Sequence, residues 1–170
     1  NTRVYIYFET EIKPVSAGIL REGKVFSSEN RASGRNACIV LDFPERTNIL
    51  RIRYGISFIN AEQAKKNLER EIKSYDLDKL TSQGRRIWNE ALGKIRITGG
   101  SENDKTVFYT SVYRTYERPV NITEDGRYFS AFDGQIHDSE GIPFYTDDWI
   151  WDTYRATHPL RILIEPELEV

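Results

Sequence analysis

The chain has 170 residues, of which 39% are hydrophobic and 29% charged, and its formal net charge is −2. Enough apolar residues are present to bury a core, so the composition excludes a disordered segment. The near balance of charges gives no electrostatic basis for binding nucleic acid or an anionic membrane. No apolar run reaches the ~20 residues that cross a bilayer, so we expect no membrane span.

Residues 1–59 have the pattern of β-strands. β-branched and aromatic residues fill 4–8, a short apolar run covers 37–43, and apolar and polar residues alternate over 49–58. Turn-forming residues separate these runs, which is typical of an antiparallel sheet or sandwich. Cys38 is the single cysteine of the chain, and we interpret it as a small buried hydrophobe rather than a nucleophile.

The hydrophobic period then changes to that of helices. Apolar residues recur every three or four positions over 61–72 and 77–92, which predicts two helices. Asn60 is a good N-cap for the first helix, and Gly93 is a plausible stop for the second. A third helix, rich in aromatic residues, is expected around 107–116 and should be buried on most sides.

The rest of the chain is predicted to contain a long loop and one more helix. Residues 120–145 are rich in Asn, Asp, Gly and Tyr, and loops of that length often carry function. Within them, the Asp-Gly pairs at 125–126 and 133–134 mark turns. A final helix should begin near Thr146 and end before Pro159. Strands followed by helices place the chain in the α+β class.

The final predicted helix carries the residues best suited to chemistry. On a continuous helix, Trp151, Asp152, Arg155 and His158 share one face. A ring that stacks on a sugar, with a carboxylate and a guanidinium that bond its hydroxyls, would form a carbohydrate site. Spacing alone favours a plainer interpretation, in which Asp152 and Arg155 form a helical ion pair and Trp151 is core.

Other site chemistries find little support in the pattern. The loop over 125–137 lacks the alternating ligand series of a calcium-binding loop. His137 and His158 are too isolated to indicate zinc. No glycine-rich phosphate loop or serine-nucleophile elbow is present.

Six segments resemble, in their order along the chain, motifs of glycoside hydrolase family 92, a family of calcium-dependent exo-acting α-mannosidases. They are Gly55–Leu68, Trp88–Ile95, Phe108–Tyr113, Asp125–Tyr128, Asp133–His137 and Trp151–Leu160. The resemblance implies an N-terminal antiparallel β-sandwich joined by a helical linker to an (α/α)6 barrel. On that basis 1–59 is the C-terminal part of the sandwich, 60–103 the linker, and 104–170 the incomplete start of the barrel.

The resemblance also implies an activity. It implies that the enzyme releases mannose from the non-reducing ends of α-mannosides, with inversion at the anomeric carbon and with bound calcium. The implied substrates include α-1,2-linked mannosides and N-glycans. It further implies a secreted, periplasmic or cell-surface protein whose partners are mannose-containing glycans. The chain opens with Asn1 and contains no methionine, so we expect that residue 1 is not a translational start. The resemblance implies an internal part of a longer polypeptide whose remainder completes the fold.

The site residues follow from the same resemblance. Trp151 and Asp152 match the pair that lines the pocket for the terminal mannose, with Arg155 and His158 as possible support. The acid, the base and most calcium ligands are expected outside this chain. No catalytic or metal-binding residue is therefore assigned within it, and the 170 residues alone should be inactive.

Two departures from the motifs stand out. Arg114 occupies a position where relatives often have His, and the stretch Asp147-Asp148-Trp149 is more acidic than usual.

Two competing interpretations remain at the level of sequence. One is a non-catalytic carbohydrate-binding β-sandwich with accessory helices, whose sugar site would lie on strands before residue 60. The other is a structural domain with a solvated charged face. The enzyme interpretation instead places the sugar site at 149–158.

Overall fold

The computed structural model describes residues 3–27, 29 and 31–168 and combines helices with antiparallel strands, as the α+β prediction requires. The described part of the chain forms two compact units, of which one comprises Val4–Tyr75 and the other most of the chain after it. No helix within the described ranges is both long enough and apolar enough to cross a membrane. The predicted division at 59/60 and 103/104 stays a prediction.

The first unit contains five strands and one helix. They are β1 (Tyr5–Thr10), β2 (Ser16–Arg21), β3 (Lys24–Phe26), β4 (Cys38–Asp42), β5 (Ile52–Ser57) and α1 (Ala61–Glu71). β1 pairs with β5 in an antiparallel ribbon in which Glu9 lies opposite Arg53. β2 is the centre of a second antiparallel sheet, with β3 on one side and β4 on the other. The short β2 and β3 were not among the predicted strands.

Helix α1 packs on one face of the β1–β5 ribbon. Asn60 caps it by accepting a hydrogen bond of 2.8 Å from the Gln63 amide, as predicted. Gly55 permits the close approach, because a Cβ there would lie 2.3 Å from the carbonyl oxygen of Ala64. Ala64 and Leu68 are consequently buried against the ribbon.

The prediction that Cys38 is buried is wrong, since its thiol is free and exposed. Cys38 is the first residue of β4 and lies opposite Leu20 of β2. Its neighbour Ile39 on β4 is also 56% exposed. An apolar run therefore identified the strand, but the described elements leave this end of the strand uncovered.

The second unit contains the remaining elements. They are α2 (Leu77–Leu92), α3 (Glu102–Arg114), β6 (Arg127–Ser130), β7 (Gln135–Asp138), α4 (Ile150–Thr153), α5 (Thr157–Ile164) and the 3₁₀ turn η1 (Pro166–Leu168). α2 ends at Gly93, as predicted, and α3 begins with a capping box between Ser101 and Asp104. The stretch around Ile95–Ile97 is irregular.

Helix α3 is less buried than its aromatic content predicted. Val112 is its one buried residue within the described chain, and Val107 is 66% exposed. Trp88 of α2 covers part of it, with its ring centroid 4.6 Å from that of Tyr113. Tyr109 donates a hydrogen bond of 3.1 Å to the carbonyl of Ile95, just after α2.

The predicted loop over 120–145 contains an antiparallel hairpin of β6 and β7. Asp125 and Gly126 both have positive φ, of 50° and 78°, and form the tight turn that their sequence predicts. Gly134, with φ of 73°, belongs to the connection between the two strands. Tyr128 of β6 stacks on Phe144 with ring centroids 3.8 Å apart, so a ring far along the chain holds the hairpin in place.

The prediction of one helix from Thr146 to before Pro159 is wrong. Two short helices, α4 and α5, take its place, and the chain leaves helical geometry around Ala156, whose φ and ψ are −132° and −53°. Pro159 is the third residue of α5, where the absent amide hydrogen has no partner within the helix in any case. The proline is therefore compatible with the start of a helix, and it does not end one here.

Candidate functional site

The candidate site centres on α4, a helix of four residues. So short a helix is not stable by itself, because the free energy needed to nucleate a helix exceeds the free energy gained from one turn of hydrogen bonds. The residues at its two ends therefore decide its position. Trp149 precedes it without a side-chain cap of its own, and Thr153 is its last residue.

Asp148 holds the start of α4. Its Oδ1 accepts a hydrogen bond of 2.7 Å from the backbone amide of Trp149. Its Oδ2 lies 3.3 Å from Nε2 of His158, in α5. The Asp148 side chain is 13% exposed and that of His158 23% exposed, so this pair is partly shielded from water.

Thr153 connects the end of α4 to the same histidine. Its hydroxyl donates to the carbonyl of Trp149 at 3.3 Å, and its oxygen lies 3.0 Å from Nε2 of His158. Because the Thr153 hydroxyl donates to the carbonyl, a hydrogen bond between Thr153 and His158 requires the tautomer that carries its hydrogen on Nε2. A single ring nitrogen thus faces both ends of the short helix.

Between these ends, α4 presents the residues that the sequence singled out. Trp151 is 73% exposed, and Asp152 is also exposed. The Asp152 amide donates to the Trp149 carbonyl at 2.8 Å, and its carboxylate has no hydrogen-bond partner within the described chain. A free carboxylate beside an exposed indole is a suitable acceptor and stacking surface for a sugar.

The ion pair between Asp152 and Arg155, which spacing favoured, is not formed between these described residues. Arg155 donates instead through Nε to the Tyr154 hydroxyl at 2.6 Å, and its guanidinium carbon lies 5.3 Å from the centre of that ring. The predicted common face is wrong as well, because the break after α4 directs His158 toward Asp148 and Thr153. The roles of Trp151, Asp152, Arg155 and His158 toward a sugar stay predictions.

Sequence reasoning noted Asp148 only as an unusual acidic residue and did not connect it to His158. The two residues are ten positions apart and lie on either side of a helix break. No periodic pattern links such positions. The acidic departure itself was the single available signal.

A second polar cluster connects three parts of the second unit. Lys94, just after α2, forms an ion pair with the buried Glu165 at the end of α5, and buried Arg161 donates to the carbonyl of Thr115. The pKa of Tyr116 is raised, first by burial and then by the nearby Glu165 carboxylate. The pKa of Lys94 is raised because Glu165 accepts its hydrogen bond. These contacts hold α5 and do not extend to Trp151 or Asp152.

A groove of about 490 Å³ lies between α2 and α3. Its aromatic wall consists of Trp88, Tyr109 and Tyr113, and Lys105 and Glu102 lie at its polar side. The groove does not include the α4 residues, and it was not foreseen from the sequence.

The described residues do not form a calcium site by themselves. No three His, Cys, Asp or Glu side chains in the described ranges lie together in a way that could hold a metal ion. The Asp133 carboxylate, for example, is engaged by His137 at 2.8 Å and by the Gln135 amide at 3.0 Å.

The described chain combines helices with antiparallel strands and exposes Trp151 and Asp152 on α4. Residues 63–169 match the catalytic domain of glycosyl hydrolase family 92. The chain belongs to this family.

Two solved structures have a backbone fold similar to that of nearly the whole chain. The family GH92 inverting mannosidase BT2199 from Bacteroides thetaiotaomicron superposes with a TM-score of 0.83 and 30% identity over 99% of this chain. The family GH92 α-mannosidase BT3965 from the same organism gives 0.81 and 26% over 98%. An uncharacterized secreted glycosidase of Arthroderma benhamiae is 36% identical over 75 residues, or 42% of this chain.

The coverage of these relatives is partial. The chain spans 23% of each of the two bacterial structures and 10% of the fungal protein.

Proposed function

We propose that this chain contributes the substrate-facing α4 segment of an inverting exo-acting α-mannosidase. The observation that carries the proposal is the joint exposure of Trp151 and Asp152 on a helix within the family-matched region. The Asp152 carboxylate has no partner among the residues that the structure describes. Two relatives support the substrate class, since one is named an inverting mannosidase and another an α-mannosidase. The substrates proposed are mannose-containing glycans, α-1,2-linked mannosides and N-glycans included.

In this proposal Asp152 accepts hydrogen bonds from hydroxyls of the terminal mannose. Trp151 forms the wall of the same pocket. Two acceptor oxygens on one carboxylate match two neighbouring hydroxyls of a sugar ring, and an indole covers its apolar C–H face. Arg155 and His158 support the segment without touching sugar.

Inversion needs a carboxylic acid and a carboxylate base on opposite sides of the scissile bond, with a water between base and sugar. We assign neither role to a residue of this chain and place both, with most calcium ligands, in the remainder of the polypeptide. Calcium and a secreted, periplasmic or cell-surface location are parts of the same proposal. The fungal relative supports the location, since it is described as secreted.

The test is the substitution Asp152→Ala in the full-length enzyme. Loss of hydrogen bonds to a charged acceptor should lower kcat/KM for an α-mannoside roughly 10- to 100-fold, with little change in melting temperature. Asp147→Ala is the matched control, because it removes an exposed carboxylate nearby and should leave kcat/KM close to that of the wild type.

A fully active Asp152→Ala enzyme would end the assignment of α4 to the substrate pocket. Affinity for mannoimidazole, a ligand found in a solved complex of BT3965, should fall with kcat/KM. If the sugar instead binds on the strands before residue 60 and no mannose is released, the binding-module interpretation replaces this one.

A further inference from the structure

We propose that Asp148 and His158 form a clamp that positions Trp151 and Asp152. Asp148 and His158 are thus positioning residues for sugar binding. The proposal rests on the proposed function of α4. It adds two residues that do not touch the sugar and that act through the helix between them. The clamp consists of the contacts among Asp148, Thr153 and His158.

The clamp closes on both ends of α4 from one side chain. His158 Nε2 lies 3.3 Å from the Asp148 carboxylate at the start of the helix and 3.0 Å from the Thr153 hydroxyl at its end. Nε2 forms its hydrogen bond with Thr153, whereas the Asp148 Oδ2 lies within ion-pair distance and has no hydrogen-bond partner in the described chain. Because α4 has only four residues, these contacts and not its internal hydrogen bonds set the direction in which its side chains point.

The start of the helix has further support. Asp148 accepts the Trp149 amide at 2.7 Å, and the guanidinium carbon of Arg118 lies 5.2 Å from the centre of the Trp149 ring. Trp149 is therefore held both through its backbone and through its side chain. Trp151 and Asp152 follow directly, and both are exposed.

Burial distinguishes the clamp from a surface ion pair. The Asp148 and His158 side chains are 13% and 23% exposed, whereas Asp152 and Trp151 face solvent. Partly shielded contacts persist and orient neighbours, while exposed pairs contribute little. The arrangement is that of a supporting shell beneath a binding surface, in which small displacements have large effects on substrate binding.

The experiment is a double-mutant cycle in the full-length enzyme with Asp148→Ala, Asp152→Ala and the double variant. We expect Asp148→Ala to lower kcat/KM about 10-fold while thermal melting shows the enzyme still folded. If Asp148 acts partly through Asp152, Asp148→Ala costs less activity in the Asp152→Ala background than in the wild type, since only its effect through Trp151 remains. Losses that multiply would show an independent structural role and overturn the proposal.

A second series tests the histidine. His158→Ala should reproduce the loss of Asp148→Ala, and His158→Gln should recover much of it, because an amide nitrogen can donate at similar reach. Asp147→Ala removes an exposed carboxylate, as Asp148→Ala removes a shielded one, and is the control for that variant; it should have no effect. Equal loss in His158→Gln and His158→Ala would show that the hydrogen bond to Thr153 does not hold α4 and would overturn the proposal.

Failure of this proposal is separable from failure of the proposed function. Normal activity in Asp148→Ala together with impaired activity in Asp152→Ala removes the clamp and leaves the sugar site. Normal activity in Asp152→Ala removes the sugar site itself. Should Asp148→Ala fail to fold, the His158→Gln and His158→Ala pair still decides the question.

Discussion

At the scale of single residues, two ion pairs of the first unit differ in their surroundings. Glu9 of β1 pairs with Arg53 of β5 at 2.6 Å, with side chains 28% and 18% exposed. Glu11 pairs with Arg51 at 2.9 Å, with side chains 37% and 43% exposed. Arg53 and then Tyr7 donate hydrogen bonds to Glu9, which lowers the pKa of its carboxyl group. The more shielded pair should contribute more to stability.

Glu9→Gln should lower the free energy of unfolding at pH 7 by about 1–2 kcal/mol, because Arg53 loses a charged acceptor in a partly shielded position. Urea unfolding of the wild type and the variant measures this difference. The control Glu11→Gln should cost less than about 0.5 kcal/mol.

The pH dependence of the Glu9 effect has a definite sign. The folded state releases this proton more readily than the unfolded chain, because the pKa of Glu9 is lowered on folding. Its contribution is therefore complete above the ordinary glutamate pKa and is lost as the pH falls through the lower folded value. The difference between wild type and Glu9→Gln should shrink over that range, and a difference independent of pH would contradict the assigned cause.

At the scale of elements, two glycines differ in backbone conformation although both have free space around the Cα atom. Gly84 lies in the middle of α2, and Gly126 forms the turn before β6 with a φ of 78°. A Cβ at either position would meet no atom within 4 Å. Any effect of an alanine there therefore comes from the backbone and not from a clash.

Gly84→Ala should stabilise the protein by about 0.5–1 kcal/mol, since alanine loses less backbone entropy in a helix. Gly126→Ala should destabilise it by about 1–2 kcal/mol, because positive φ strains a residue with a Cβ. Circular dichroism melting of both variants gives the two signs. If both substitutions shift the melting temperature in the same direction, the backbone explanation fails.

At the scale of the whole molecule, the described chain leaves several apolar faces exposed. One face of the β1–β5 ribbon packs on α1, whereas the opposite face remains open to solvent. That open face carries the exposed side chains of Ile6, Phe8, Ile52, Tyr54 and Ile56. Contiguous apolar faces on protein surfaces usually bind another surface. The chain spans only 23% of each of its two bacterial relatives.

The isolated chain should release no mannose from α-mannosides, since inversion requires an acid and a base that are not assigned to it. The full-length protein should release mannose and lose this activity when calcium is chelated. Reducing-sugar assays on both proteins, with and without chelator, provide the measurement. Calcium-dependent release by the isolated chain would contradict the proposed placement of the catalytic groups.

Local chemistry determined much of the fold. The N-cap at Asn60, the helix end at Gly93 and the turn at Asp125-Gly126 depend on residues within a few positions, and the structure confirms all three. The Trp151-Asp152 pair was also recognisable, because its motif is contiguous. Such features are readable because backbone preferences and capping act over one turn of chain.

Contacts between distant residues were decided only by the tertiary structure. The break between α4 and α5 places His158 against Asp148, and the ion pair of Lys94 with Glu165 joins residues 71 positions apart. The exposure of Cys38 likewise depends on which elements cover β4. The sequence by itself determined the positions of α1, α2 and α3 and of the Asp125-Gly126 turn. The contacts of His158 with Asp148 and Thr153 depended on packing, because no local preference encodes which side chain meets another across a break in the helix.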